Sequence, residues 1–430
     1  MSYLLIENSG ELDISSLVLL GASTKRGDNS KIGFFGSGNK YAISTLLRTG
    51  IPFKIYSGEQ EVDITTEPVN FRGVEFKKII INGVQTSLTT DMGPQWEPWM
   101  AIREWVSNSI DEGGYNIVSS IDSMSGREGY TRFFVEHNEA TMEMIDNWNS
   151  YFTFEREDIV CQNMEGKLFT QTDIDNNLVL YRKGIRVFFD KGIKSLYQYD
   201  IASFEINESR LIDSLYTAEA ATARFINGIG NVDVFKNILS TAFKDGTFEG
   251  RLPWRWAIRS LNPKWKEAIG KHALIVDNVA GYYSEIQQSM DHYIVSLEMA
   301  QQIKRSFPES KIYGLDDSGD VIAYKKVDPS PKESFLLKEC LGFLTETQYP
   351  IEYDIDIVEF ENSFVRGLAH DNKILISRKS FDEGRKQIVL TIIEENEHLK
   401  SRLKDMTRQF QNHLFSLFLK EKEERFGIFL

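Results

Sequence analysis

REWVSNSIDEGG, residues 103–114, is the stretch on which the reading of this chain turns. Trp99, Ile102, Trp105, Val106 and Ile110 form an approximate helical stripe around it, which predicts a helix over 97–111. On such a helix Glu104, Asn108 and Asp111, spaced by four and then three residues, share one face. The residue types suit a definite task. An amide oxygen can ligate Mg²⁺, a hard cation that takes oxygen donors and keeps several of its waters. A glutamate can orient or deprotonate a water that attacks a phosphate. Gly113 and Gly114 let the backbone turn tightly once the helix ends. The same pattern also describes an ordinary solvated helix face.

A second stretch lies upstream. Residues 32–41 read IGFFGSGNKY and follow Ser23, Thr24 and Lys25. Gly33, Gly36 and Gly38 permit close backbone approach and unusual dihedrals. Free backbone N–H groups running into a helix start make a phosphate cradle. Lys25 and Lys40 can add positive charge beside the β- and γ-phosphates. Glycine-rich turns also serve packing alone.

Taken together, the two stretches resemble the GHKL ATPase superfamily, the nucleotide fold of gyrase, histidine kinases and MutL. The resemblance implies a Mg²⁺-dependent ATP site. Glu104 would be the general base, Asn108 the Mg²⁺ ligand and Asp111 a supporting residue on the adenine side. Gly33, Gly36, Gly38 and Lys40 would form the phosphate lid, with Ser23, Thr24 and Lys25 as its leading edge. Two departures stand beside the match. The lid precedes the helix, so the motif order is circularly permuted, which a compact domain with neighbouring termini tolerates. The family's DxGxG box has no intact copy, and Glu7 and Glu136 are degenerate candidates for its adenine-reading acid.

Behind the first domain, residues 178–190, LVLYRKGIRVFFD, predict strands, with a turn at Lys191-Gly192 before a further strand in YQYDIASFEINESR. This region resembles the transducer domain that follows the ATP domain in several GHKL proteins. The resemblance makes Arg182, Lys183 and Arg186 candidates for the basic residue that reaches the γ-phosphate; they also fit as edge-strand charges. A helical region is expected over 211–243. A small α/β module is expected over 268–326, ending in a hairpin around the Asp-Ser-Gly-Asp turn of KIYGLDDSGDVIAYKK.

Residues 391–410 read TIIEENEHLKSRLKDMTRQF and, with the preceding GLAHDNKILISRKSFDEGRKQIVLTII, resemble the active helix of minigluzincin zinc peptidases. In the HExxH motif two histidines hold zinc and the glutamate activates water. Here Glu394 stands in the first histidine position, leaving Glu394, Glu395 and His398. Asp405 is the acid at hand for a third ligand. On an unbroken helix it would sit roughly 10 Å beyond His398, and no glycine breaks the intervening LKSRLK. A peptidase-like shape without zinc is therefore expected. His137, His272, His292, His370 and His413 show no paired spacing.

The bulk properties bound the rest. A chain of 430 residues predicts two to four domains. The expected α+β architecture is a GHKL-type α/β sandwich over 1–155, a transducer-like and small α/β region over 156–332, and a minigluzincin-like α+β domain over 333–430. A net charge of −14 argues against nucleic acid as the main ligand, since phosphate binding draws on basic surface. Cys161 and Cys340 lack metal-ligand spacing and read as reduced thiols. The N-terminus lacks the pattern of a signal peptide, and no apolar run approaches the ~20 residues of a membrane helix. A cytoplasmic protein is expected, with no membrane association. Its partners would be a nucleotide, a second copy in a nucleotide-dependent dimer, and an unknown protein. A non-catalytic interaction scaffold and an ATP-regulated metalloprotease remain as alternatives.

Overall fold

The computed structural model describes residues 2–18, 31–32, 36–114, 116–315, 321–403, 407–427 and 429. Ser23, Thr24, Lys25, Gly33 and Asp405 lie outside them. The protein is of the α+β class, with helices and several small sheets. It divides into two units, Met1–Asn231 with Gly246–Ile258, and Val232–Asp245 with Arg259–Leu430.

The first unit opens with an antiparallel sheet. Its spatial order is Gln60–Glu61, Phe53–Ser57, Tyr130–Glu136, Tyr3–Ser9, Asn116–Ile121. The interior strand Tyr3–Ser9, paired along both edges, is buried on both faces and alternates accordingly. Leu4 and Ile6 enter the main core with Phe133 and Val135, and there meet Ile43, Leu46, Ile102, Trp105 and Val106 of two helices. Tyr3 and Leu5 enter a smaller cluster on the other face with Tyr56 and Phe134. The two helices are Gly38–Thr49 and Pro98–Asp111. Pro98 at the start of the second suits a helix beginning, where a missing N–H costs nothing. Trp105 stacks on Phe133 at 4.7 Å between ring centroids, fixing helix against sheet. A three-stranded meander, Ile64–Phe71, Val74–Ile81 and Val84–Thr89, lies between these helices in the chain.

A second sheet follows in the same unit, in the order Ile185–Lys194, Asn177–Arg182, Tyr197–Ile201, Gly166–Thr170, Ile159–Gln162. The reversal expected at Lys191-Gly192 occurs instead at Lys183-Gly184, and Lys191-Gly192 lies inside a strand. Lys183 and Gly184 take φ of 51° and 83°, the pair of left-handed residues that a tight hairpin turn demands. Residues 246–258 belong to this unit through Glu249. That fully buried carboxylate accepts hydrogen bonds from Ser195 Oγ, Leu196 N and Tyr199 Oη at 2.7–3.1 Å.

The second unit contains a parallel sheet ordered His292–Val295, Ala273–Val276, Ile312–Tyr313. A four-stranded sheet follows, ordered Tyr324–Lys326, Asp354–Phe360, Lys373–Ser377, Gly367–His370. The hairpin expected around residues 317–320 has only one bridge, Leu315 to Val321, among the described residues. Its two arms pair in different sheets. Helices Pro331–Glu346 and Arg385–Ser401 cover the four-stranded sheet, with Leu344, Ile357, Ile376, Ile388 and Ile392 in their shared core. Among the described residues no helix is long and apolar enough to cross a membrane.

Candidate functional site

Ten of the fourteen residues in helix Pro98–Asp111 are buried, including Arg103, Glu104 and Asp111. The helix is therefore not a solvated face: its polar side chains point into the first unit. Glu104 lies against the start of helix Gly38–Thr49, where a β-carbon on Gly38 would fall 1.8 Å from Glu104 Oε1. Asn108, one turn on, donates from Nδ2 to Asn39 Oδ1 at 2.9 Å and to Glu104 Oε1 at 3.3 Å. Asn108 Nδ2 is committed to two acceptors. The structure thus brings Glu104 and Asn108 together with Gly38, although more than sixty residues separate them in the chain.

Asp111 ties down the other end of the glycine stretch. Its Oδ1 accepts from the Ile32 backbone N–H at 2.7 Å, and its carbonyl accepts from Lys31 Nζ. Lys183 Nζ donates to the Lys31 carbonyl at 2.8 Å, so one of the three basic residues singled out in 178–190 reaches the chain just before the glycine stretch. Gly36 has φ of 75°, a conformation that favours glycine. Lys40 is 2% exposed, and its Nζ donates to the Gly36 carbonyl at 2.7 Å. Burial pushes the Lys40 ammonium below its ordinary range. Arg186 stacks on Tyr151 and Trp99, at 3.7 and 4.4 Å from the ring centroids. Arg182 is half-buried beside Arg210, which, with burial as the larger cause, pulls its guanidinium down.

The 207–210 loop, which follows the second sheet, supplies what sequence reading missed. Arg210 Nη2 donates to Glu104 Oε1 at 2.7 Å, with both side chains buried. Arg210 holds a left-handed φ of 57°. Ser209 is gripped from below: its carbonyl accepts from Arg103 Nη2 at 2.8 Å and its hydroxyl from Trp96 Nε1 at 3.2 Å. Glu208 Oε1 accepts from Ser37 Oγ at 2.9 Å. Burial, with Arg210 close by, lowers the Arg103 guanidinium to about 9. No local signal marks NESR in the sequence as a partner of Glu104.

Lys40, Arg103 and Arg210 are buried cations; of the buried carboxylates Glu104 pairs with Arg210 and Asp111 holds the Ile32 N–H, and the exposed Glu208 adds a further carboxylate at Ser37. Arg103 Nε and Nη1, Arg210 Nη1 and Glu104 Oε2 are buried without a hydrogen-bond partner among the described residues. Buried polar groups are nearly always satisfied, so three unmatched guanidinium nitrogens and one carboxylate oxygen in one cluster are unusual.

Glu7 and Glu136 sit elsewhere. Glu7 accepts from Arg132 Nε at 2.9 Å and Asn116 Nδ2 at 3.0 Å. Strand alternation puts both on the sheet face opposite the helices, with Tyr3, Leu5 and Phe134. The polar residue of strand Tyr3–Ser9 on the helix side is Asn8, whose Oδ1 accepts from Ser109 Oγ at 3.1 Å. The alternation Leu4, Ile6, Asn8 carried that information in the sequence.

In the second unit Glu394 and His398 lie one turn apart on helix Arg385–Ser401. His398 Nδ1 lies 2.8 Å from the Leu403 carbonyl, and its ring stacks on Phe410. The helix does break before residue 405: it stops at Ser401, with Arg402 at φ 56° as a left-handed cap, so the distance argued for an unbroken helix does not apply. Glu395 packs against Gly367, and Glu397 accepts from Tyr349 Oη and lies 2.8 Å from His413 Nε2. Among the described residues no group of three or more His, Cys, Asp or Glu is placed to hold a metal ion. No protein-family model matches the chain, and no curated protein matches it.

Proposed function

We propose that the first unit binds Mg²⁺-ATP and hydrolyses it slowly, using lid closure as a conformational switch. The observation that carries this reading is the meeting of Glu104 and Asn108 with the start of the glycine-led helix, in a buried cluster where Arg103 Nε and Nη1 and Arg210 Nη1 have no hydrogen-bond partner among the described residues. The N-terminus of Gly38–Thr49 and the cations Lys40 and Arg210 would receive phosphate oxygens. Asn108 Oδ1 would help hold Mg²⁺, which neutralises phosphate charge when bound. Glu104 would take a proton from the attacking water. It is paired to Arg210 here, so that base function requires the pair to open. In this reading Arg210 would turn from Glu104 to a terminal phosphate and carry the state of the site to the second sheet. A nucleotide-dependent homodimer belongs to the same reading.

The test is Mg²⁺-dependent ATP binding and hydrolysis by the full chain, with Glu104→Ala and Asn108→Ala beside it. Binding by the wild type, weakened binding by Asn108→Ala, and binding without hydrolysis by Glu104→Ala are expected. Absence of nucleotide binding at millimolar ATP would sink the proposal. It would favour a non-catalytic scaffold, a reading supported by the commitment of Glu104 to Arg210. Measured zinc near one atom per chain would instead favour a metalloprotease function for the second unit.

A further inference from the structure

The cluster is sealed as it stands. Glu104, Lys40, Arg103 and Arg210 are each no more than 5% exposed. A triphosphate cannot reach them unless something moves. The 207–210 loop touches the helix Gly38–Thr49 side through Glu208 and Ser37, the helix Pro98–Asp111 through Ser209 and Arg210, and Trp96 through the Ser209 hydroxyl, so these contacts hold it over the cluster.

Glu208 has a particular place in that loop. Ser37 is the residue before helix Gly38–Thr49, and its hydroxyl makes no hydrogen bond to its own helix. It donates instead to the Glu208 carboxylate. Glu208 also acts on Tyr41, one turn into the same helix: after burial, its charge is the next cause that raises the Tyr41 hydroxyl above its ordinary range. A carboxylate therefore sits at the positive end of a twelve-residue helix, where backbone dipole and free N–H groups favour an anion. A second observation marks the same spot for a ligand. Arg210 Nη1 is buried and unpartnered, and its guanidinium pairs with the Glu104 carboxylate that packs against Gly38 at that helix start, where Glu104 Oε2 is likewise buried and unpartnered.

We infer that Glu208 is an internal competitor for the phosphate position: its carboxylate occupies the anion seat at Ser37 in the resting protein and must be expelled by the incoming nucleotide. The inference rests on the nucleotide reading of this site and adds its regulation. In the resting state Arg210 neutralises Glu104 while Glu208 holds the lid helix, so one loop silences base and phosphate seat together. Nucleotide entry breaks Ser37–Glu208 and Glu104–Arg210 in the same movement. Affinity is thereby set by how readily the loop leaves, and anything that draws the loop away through the second sheet turns the site on.

The test compares ATP and AMP binding by the wild-type chain, Glu208→Gln and Glu208→Asp, in Mg²⁺ at fixed salt. Removing the competing charge is expected to tighten ATP binding by about three- to tenfold, a range set by a partly screened carboxylate. The gain for AMP should be smaller, and Glu208→Asp should stay near the wild type. In hydrogen exchange, ATP should raise amide exchange across residues 205–211 of the wild type. If the wild type binds ATP but Glu208→Gln binds it no more tightly, or if exchange in the loop falls, the competitor is refuted and the ATP site stands. If no variant binds ATP, the ATP site itself is refuted and the competitor with it.

Discussion

The carboxylate of Glu104 rests on the Cα of Gly38, so closely that a methyl group at residue 38 would lie 1.8 Å from Oε1 and 2.0 Å from Cδ. The glycine stretch and the acid-bearing helix are therefore parts of one site. Gly38→Ala is expected to push the carboxylate off Arg210 and Asn108. If Glu104 is the base, hydrolysis should fall at least about tenfold while the fold survives, since a displaced catalytic group of this kind costs on that order. Steady-state ATPase rates and circular dichroism of the variant check this; an unchanged rate would remove Glu104 from the chemistry.

The Glu104–Arg210 pair is buried on both sides. Breaking such a pair from one side leaves an uncompensated charge and costs about 3–5 kcal/mol. Arg210→Ala should lower urea stability by that order. Glu104→Gln should cost less, because a neutral amide still accepts from the guanidinium. A loss below about 1 kcal/mol for Arg210→Ala is what an exposed pair would give, and would show that water reaches this contact.

The turn at Lys183-Gly184 gives a backbone prediction. Gly184 has φ of 83°, and a β-carbon there would meet the Phe154 ring at 2.1 Å. Gly184→Ala combines a left-handed penalty with overpacking, and a loss of about 1–3 kcal/mol follows. Gly192→Ala, inside the strand, should cost less than that. Thermal unfolding of the two variants distinguishes this turn from the one expected at Lys191-Gly192.

Acid stability should carry the signature of Asp158. Arg156 donates to both of its carboxylate oxygens, and that contact is the first cause holding its pKa near 2 rather than 3.8. A carboxyl lowered in the folded state stabilises it above the unfolded pKa and loses that contribution as pH falls through the folded one. Between about pH 4 and pH 2 the wild type should therefore lose stability faster than Asp158→Asn. Parallel slopes over that window in urea titrations at stepped pH would show that the pair is not maintained in solution.

Much of the local architecture was legible in the chain. The apolar stripe from Trp99 to Ile110 predicted the helix that forms. Glycines 36 and 38 stand where a positive φ and a close approach require them. These are properties of spacing and of side-chain size, which act within a few residues and so leave a record in the order of the sequence. The turn in 178–194 was misplaced because both Lys-Gly pairs carry the same turn chemistry. Strand pairing decides which one takes the left-handed angles.

What the sequence by itself determined is the helix that carries Glu104, Asn108 and Asp111, the glycine stretch that opens the other helix, and the acidic balance of the whole. The tertiary structure alone decided that these two helices pack with Glu104 on Gly38, that Asp111 holds Ile32, and that Arg210 and Glu208 arrive from a loop about a hundred residues downstream. It also decided which face each strand residue takes, which turned Glu7 and Glu136 away from the helices and Asn8 toward them. The physical reason is range. Helical and strand periods are set by nearest neighbours along the backbone, whereas a buried ion pair forms only after burial of apolar surface has brought distant segments together. Nothing in NESR itself distinguishes Arg210 from the chain's other arginines until Glu104 lies 2.7 Å away.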